Sequence, residues 1–409
     1  MKLTNWAGNT VYRARKVHRP TSLDDLRRIV ATATRIRALG SGHSFNDVAD
    51  TAGDLVVLDR MPDAVEIDTA AALARVPART TYARLAPLLH ERGLALANLA
   101  SLPHISVAGS VATATHGSGD AVQGLASAVA SLDLVTADGS LLTLSRGDAD
   151  FPGAVVALGA LGVVTSLTLD LVPAFEVRQY VREGLTLDAL ADFDEITAGG
   201  YSVSLFTDWR DTRVWLKRVG GPAGDPGDDP AGDWHGTRPA HRPLHPLPGM
   251  PADNCTVQLG VPGPWHERLP HFRPDVPPSG AGDELQSELI LPRAHAVKAL
   301  RELYAIGDRI RPVLHISEVR TIAADDLWLS PFNGRDSVGI HFTWKKDPAG
   351  VLPVLKLVEE TLAPFGPRPH WGKLFTRWPA CPDSFRALVR RFDPGGTFAN
   401  DFTRILLGE

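Results

Sequence analysis

Gly40-Ser41-Gly42-His43-Ser44-Phe45-Asn46 follows directly on Arg35 to Leu39, a run that reads as a short strand. A strand that breaks into small residues leaves successive backbone N–H groups open, and such a nest can hold phosphate oxygens. The spacing is neither GxGxxG nor GxxxxGKS, so neither a Rossmann site nor a P-loop is expected. Alone, the stretch reads equally as a tight turn carrying a surface histidine. A second stretch bears on the choice. Ala100-Ser101-Leu102-Pro103-His104-Ile105-Ser106-Val107-Ala108-Gly109-Ser110 is followed by Thr113-Ala114-Thr115-His116-Gly117-Ser118-Gly119. So many small residues in succession cannot fill a core; they let backbone approach something large and flat. A bound cofactor is one filler, and a loose solvent-lapped loop is the alternative.

Around these stretches the chain alternates strands with a few helices, an α+β pattern. Ser22 is placed to cap a helix in which Leu23, Leu26, Ile29 and Val30 recur at helical spacing. Strands are expected over Asp54 to Leu58, Ala64 to Asp68, Leu73 to Val76, Val129 to Thr136, Leu141 to Leu144 and Gly162 to Leu169. Tyr82 to Arg92 reads as a helix stopped by Gly93, and Phe151-Pro152 as a turn. Gly220 to Pro251, dense in Gly, Pro, Asp and His, reads as an exposed excursion without regular structure. Beyond it, His295 to Ile306 looks helical, and Val313 to Arg320 and Ser337 to Trp344 look like strands.

The 409 residues suggest two domains, with a 44% hydrophobic share that supports a large core. A net charge of −5 with no Lys/Arg run argues against nucleic acid or a membrane surface as partner. Cys255 and Cys381 form no CxxC pair and fit a reducing compartment. Met1 to Trp6 contains no apolar run of a secretion signal, so a cytoplasmic location is expected. His235, His241 and His245 match no metal-ligand spacing, and no metal is expected.

Both small-residue stretches resemble the vanillyl-alcohol oxidase and p-cresol methylhydroxylase-type FAD flavoproteins. The resemblance extends to the family's alditol and aldonolactone oxidases through Asn5-Trp6-Ala7-Gly8-Asn9, Ser204-Leu205-Phe206-Thr207-Asp208-Trp209-Arg210, Trp215-Leu216-Lys217, Val261-Pro262-Gly263-Pro264-Trp265 and Pro369-His370-Trp371-Gly372-Lys373. It implies a two-domain α+β flavoprotein: an FAD-binding domain over 1–172, a sheet-based substrate domain over 173–380, and a segment over 381–409 that returns to the FAD domain. It also implies FAD bonded covalently to His43, with Gly40, Ser41, Gly42 and Ser44 cradling the pyrophosphate. Ser101, His104, Ser106, Gly109, Thr113, His116, Gly117 and Val164 fall where the family wraps FAD. One departure is Pro77-Ala78-Arg79, where related sequences often carry Gly-rich residues.

The same resemblance assigns the substrate to Ser101, Gln286, Glu318, Arg320, His341, Thr343 and Lys373. These types suit an uncharged polyol, which needs a row of matched donors and acceptors. Glu318 and Arg320 share one face of an expected strand, as do His341 and Thr343. The implied catalytic set is Lys373 and Arg320 stabilising a developing alkoxide, His341 accepting the proton, and Glu318 orienting the neighbouring hydroxyl. The expected reaction converts the terminal primary hydroxyl of an alditol such as xylitol or sorbitol to an aldose, with dioxygen becoming hydrogen peroxide in a monomeric enzyme. Two alternatives stand beside it. One is an aldonolactone oxidase or dehydrogenase. The other is a non-redox carbohydrate-binding protein using Trp209, Trp215, Trp265 and Trp371 as sugar platforms.

Overall fold

The structure, a computed structural model, describes residues 3–220, 229–230, 233–276 and 283–409. Its N-terminal part holds three small sheets, one of them the two-stranded pair of Leu94–Ala95 with Val172–Pro173. Lys16–His18, Asp54–Val56 and Ile36–Ala38 form a parallel three-stranded sheet. Glu66–Asp68, Leu73–Pro77, Val163–Asp170, Val129–Val135 and Leu141–Ser145 form an antiparallel one, in that order. The helix Leu23–Thr32 begins where expected: the Asp25 N–H donates to Ser22 Oγ at 3.1 Å, and Leu26 and Val30 are buried. Tyr82–His90 stops before Gly93, whose φ of +72° is left-handed.

The second half is one antiparallel nine-stranded sheet. Its central run is Thr212–Gly220, Ser202–Thr207, Leu314–Ile322, Ser337–Lys345 and Glu284–Pro292. Ser337–Lys345 is buried along nearly its whole length, so both of its faces are covered. One face carries Ile340, Phe342 and Trp344, which pack with Ala299, Leu300, Leu303, Val351 and Val358 from the helices Ala296–Ala305 and Pro348–Leu362. Because strand side chains alternate, the opposite face presents Gly339, His341 and Thr343 toward the N-terminal half. The register sets Glu288, His341 and Glu318 abreast on three neighbouring strands, with Gln286 beside Thr343 on the next rung. The last segment packs on the first: Thr397 O accepts from Ile36 N at 2.8 Å, and Asn400 Nδ2 donates to Asp50 O at 2.8 Å.

Three expectations are corrected. Phe151–Val155 is a short helix rather than a turn, because Pro152 fits its first turn, where no N–H is needed. The Gly220 to Pro251 excursion is tied down at Arg238–Pro239, which pairs with Arg182 and Glu183; its residues 221–228 and 231–232 lie outside the described residues. Trp209, Trp215, Trp265 and Trp371 are buried core residues, so none offers a sugar platform. No helix among the described residues is long and apolar enough to cross a membrane, and none of their His, Cys, Asp and Glu side chains cluster as a metal site. Both cysteines are buried and free.

Candidate active site

A single cavity of about 460 Å³ runs between the two halves. One end is walled by Gly40, Ser41, Gly42, His43 and Ser44 together with Ser106, Gly109, Thr113 and Val164. The other end meets the polar face of the large sheet, with Gln286, Glu318, Arg320, His341, Thr343 and Lys373; Ser101 also lines the cavity. The two expected groups of residues therefore face one space.

The first end fits a large planar dinucleotide. A Cβ on Gly40 would come within 2.7 Å of Ser106 Oγ, so the loops from the two small-residue stretches meet because glycine is there. Gly42 adopts φ +70°, and its carbonyl accepts from Trp6 N at 2.8 Å. Trp6 stacks on the His43 ring with centroids 5.4 Å apart. His43 Nδ1 is buried without a hydrogen-bond partner. Burial, with His104 nearby, lowers its pKa to about 4, so the imidazole is neutral and keeps a lone pair. Two expected cofactor residues do not line this cavity. His104 Nε2 lies 3.1 Å from the Pro274 carbonyl, and Gly117 backs closely onto Asn98, where a side chain would not fit. His116 does line it, but its Nε2 lies 3.1 Å from Glu288 Oε1 on the substrate side.

The second end is a buried charge network centred on Glu288, a residue the sequence reading missed. Its Oε1 accepts from Arg320 Nη2 at 2.7 Å and its Oε2 from Lys373 Nζ at 2.6 Å. Gly339 makes the space: a Cβ there would stand 3.1 Å from Glu288 Oε1. Burial alone would raise the Glu288 carboxyl, but Arg320 and Lys373 outweigh it and hold it well below the usual range. Burial likewise pushes the Lys373 ammonium down while Glu288 opposes it. Lys373 Nζ also donates to His341 Nδ1 at 2.8 Å, which leaves His341 Nε2–H to donate to Thr343 Oγ1 at 3.0 Å. An ammonium has three N–H bonds, so one remains for a substrate oxygen.

Behind Glu318 stands His271, also missed: Nε2 donates to Glu318 Oε1 at 3.0 Å, and Nδ1 lies 3.4 Å from the buried Lys217 ammonium. Burial lowers Lys217 to about 7. Arg320 and Glu318 are both buried, with Nε and Oε2 3.6 Å apart, so they are no surface ion pair. Asn46 joins the two ends, its Nδ2 donating to the carbonyls of Trp371 and Lys373 at 2.8 Å each.

The buried histidines carry a pH prediction. Burial lowers His271 to about 4 and holds His341 and His370 well below the ordinary value of 6.5. Between about pH 4 and 6.5 the unfolded chain therefore binds more protons at these sites, and stability falls as pH falls through that window. Glu284 and Asp325, raised by burial to about 7 and about 6, act in the opposite sense over the same range but are fewer. The melting temperature is expected to drop steadily from pH 7 to about pH 4.5. A flat or rising profile in a buffer series would contradict this account.

Comparison with known proteins matches both ends. Residues 14–145 match the FAD binding domain family, and residues 284–406 match the D-arabinono-1,4-lactone oxidase family. The chain is 53% identical to an alditol oxidase of Streptomyces sp. (strain IKD472 / FERM P-14339), with 99% of each chain covered. It is 32% identical, again over 99% of each, to the L-gulono-1,4-lactone dehydrogenase of Mycobacterium tuberculosis. Among solved structures, the cholesterol oxidase of B. sterolicum shares the fold with a TM-score of 0.77 at 16% identity, covering 99% of this chain and 96% of that one. A cavity built for a flat dinucleotide, a polar sheet face opposite it and full-length similarity lead to one assignment: the chain belongs to the alditol and aldonolactone oxidases, within the vanillyl-alcohol oxidase and p-cresol methylhydroxylase-type family of FAD flavoproteins.

Proposed function

We propose that the protein oxidises the terminal primary hydroxyl of an alditol to the aldehyde, yielding an aldose and hydrogen peroxide from dioxygen. The observation that carries this reading is the row of uncharged and charge-balanced hydrogen-bonding groups, Gln286, Thr343, His341, Glu318 and Arg320, facing the cofactor end of one cavity. FAD, when bound, would supply the two-electron acceptor, with dioxygen as the final oxidant. The chain's own residues do the rest. Arg320 and the unused N–H of Lys373 bind the reacting oxygen and stabilise negative charge as it develops, in a site largely closed to water. His341 Nδ1 takes the hydroxyl proton as Lys373 shifts its hydrogen bond from that nitrogen to the substrate oxygen. Glu318, held by His271, accepts from the adjacent hydroxyl and so orients the carbon chain.

The assay that tests this is peroxide release with xylitol or sorbitol as donor. Oxidation of an aldonolactone is the second reading, favoured by the family matched over residues 284–406. Preference for a lactone over every alditol in the same assay would replace the first reading by the second.

The flavin is taken to be covalent on His43, supported by the neutral, half-buried ring at the mouth of the small-residue loop, its Nδ1 without a hydrogen-bond partner. His43→Ala is expected to abolish acid-stable yellow colour: precipitated wild type stays yellow, and the variant pellet is colourless. A colourless wild-type pellet would remove the tether. We assign residues 1–172 to FAD binding, 173–380 to the substrate and 381–409 to the cofactor side, a division supported by the Thr397 and Asn400 contacts to the first half. A monomer in the cytoplasm is the accompanying expectation, supported by two free buried thiols.

A further inference from the structure

Glu284 is a buried acid that the mechanism above does not use. It is 6% exposed and lines the same cavity as the substrate residues. Strand alternation puts Glu284, Gln286 and Glu288 on one face of Glu284–Pro292. Among the described residues Glu284 has no ion-pair partner. Its hydrogen bond comes from Gln286 Nε2, which donates to Oε1 at 2.6 Å. A carboxylate has roughly four acceptor sites, so one hydrogen bond leaves most of its capacity unused by the described residues. A buried acid with so few partners calls for a ligand that completes them.

Distance decides which part of a substrate could do so. Glu284 and Glu288 are separated by roughly 14 Å along the strand, at ~3.4 Å per residue. Their side chains shorten that gap, since Glu284 leans toward Gln286 and Glu288 holds Lys373 at the reacting end. An extended six-carbon polyol, at ~1.5 Å per C–C bond, spans roughly 9 Å with its terminal oxygens; a three-carbon one spans roughly 5 Å. The longer chain, with one end at Lys373, extends about twice as far toward Glu284 as the three-carbon one.

We propose that Glu284 is a specificity-determining residue that accepts hydrogen bonds from the distal hydroxyls of the alditol and so sets the preference for longer chains. Gln286 stands between the two ends, its amide fixed by Glu284, and its oxygen is left to accept from a hydroxyl midway along the substrate. Burial raises the Glu284 carboxyl to about 7 while Gln286 and Lys373 act to lower it, and arriving hydroxyl donors favour the ionised form further. The inference rests on the polyol reading above.

The test compares wild type, E284Q and E284A as flavin-loaded enzymes at pH 8, with glycerol and sorbitol as donors in the peroxide assay. In E284A the KM for sorbitol is expected to rise about tenfold, the loss of one charge-assisted hydrogen bond, with kcat within about twofold. The KM for glycerol should stay at the wild-type value. E284Q, the same shape without the charge, should show the same ordering with a smaller rise, and it carries the test if the alanine variant does not fold. An equal rise for both donors, or no rise for sorbitol, would overturn the assignment. Failure of the unaltered enzyme to oxidise any polyol would instead overturn the underlying reading, and this one with it.

Discussion

Lys373→Ala is expected to lower kcat for alditol oxidation by about 10²–10³-fold while flavin content stays at the wild-type level. The argument starts from where the ammonium is held. Glu288 Oε2 and His341 Nδ1 take two of its N–H bonds, and the backbone carbonyl of Lys373 is pinned by Asn46. The remaining donor is therefore aimed before substrate arrives, and preorganised donors in a water-poor site are the ones whose loss is felt most in the rate. Alanine removes that donor and also leaves His341 Nδ1 without the ammonium that occupies it. The cofactor end, built from Gly40 to Ser44 and from Ser106 to Thr113, is untouched, which is why colour should persist. Anaerobic mixing with xylitol separates the two effects: absorbance before mixing reports flavin content, and the rate of bleaching reports the chemical step. Bleaching within about threefold of wild type would take Lys373 out of the reaction, given what one such donor contributes.

The same lysine shows how far the sequence could be read. Glu318, Arg320, His341 and Thr343 are singled out by the family resemblance, and strand alternation adds only that residues two apart in each pair share a face. The sheet then set the pairs abreast through the 318–341 register. Glu288 carried the same signal, two residues beyond Gln286, but the apolar run Leu289-Ile290-Leu291 follows it and blurs the alternation. The strand from Glu284 was therefore not recognised, and both of its acids were missed. His271 and Asn46 are a different case. Each acts from irregular chain, where no periodicity points a side chain anywhere, and only tertiary packing brings His271 to Glu318 or Asn46 to the Lys373 carbonyl. His104 and Gly117 lie outside the lining of the large cavity. A run of small residues marks a close approach, and at Gly117 the group approached is Asn98.

Glu288 is where stability and catalysis meet, and its replacement should separate them. In Glu288→Ala, Arg320 and Lys373 remain buried without their shared carboxylate. Breaking a buried ion pair by removing one partner costs about 3–5 kcal/mol, because the other charge is left uncompensated. A fall of that size in unfolding free energy, read from the urea midpoint, is therefore expected. Arg320 keeps Glu318 at 3.6 Å, so Lys373 bears the larger consequence. Burial already pushes the Lys373 pKa down, and Glu288 is the first influence opposing it. Without that influence the lysine loses its proton at lower pH, and a neutral amine stabilises an alkoxide poorly. Glu288→Gln keeps the shape and removes only the charge, so it isolates this second effect. In that variant the alkaline limb of the kcat profile should move to lower pH, with activity partly recovered on acidification toward pH 6. An alkaline limb that stays in place, with kcat scaled down equally at every pH, would mean that Glu288 only fills space between its two cations.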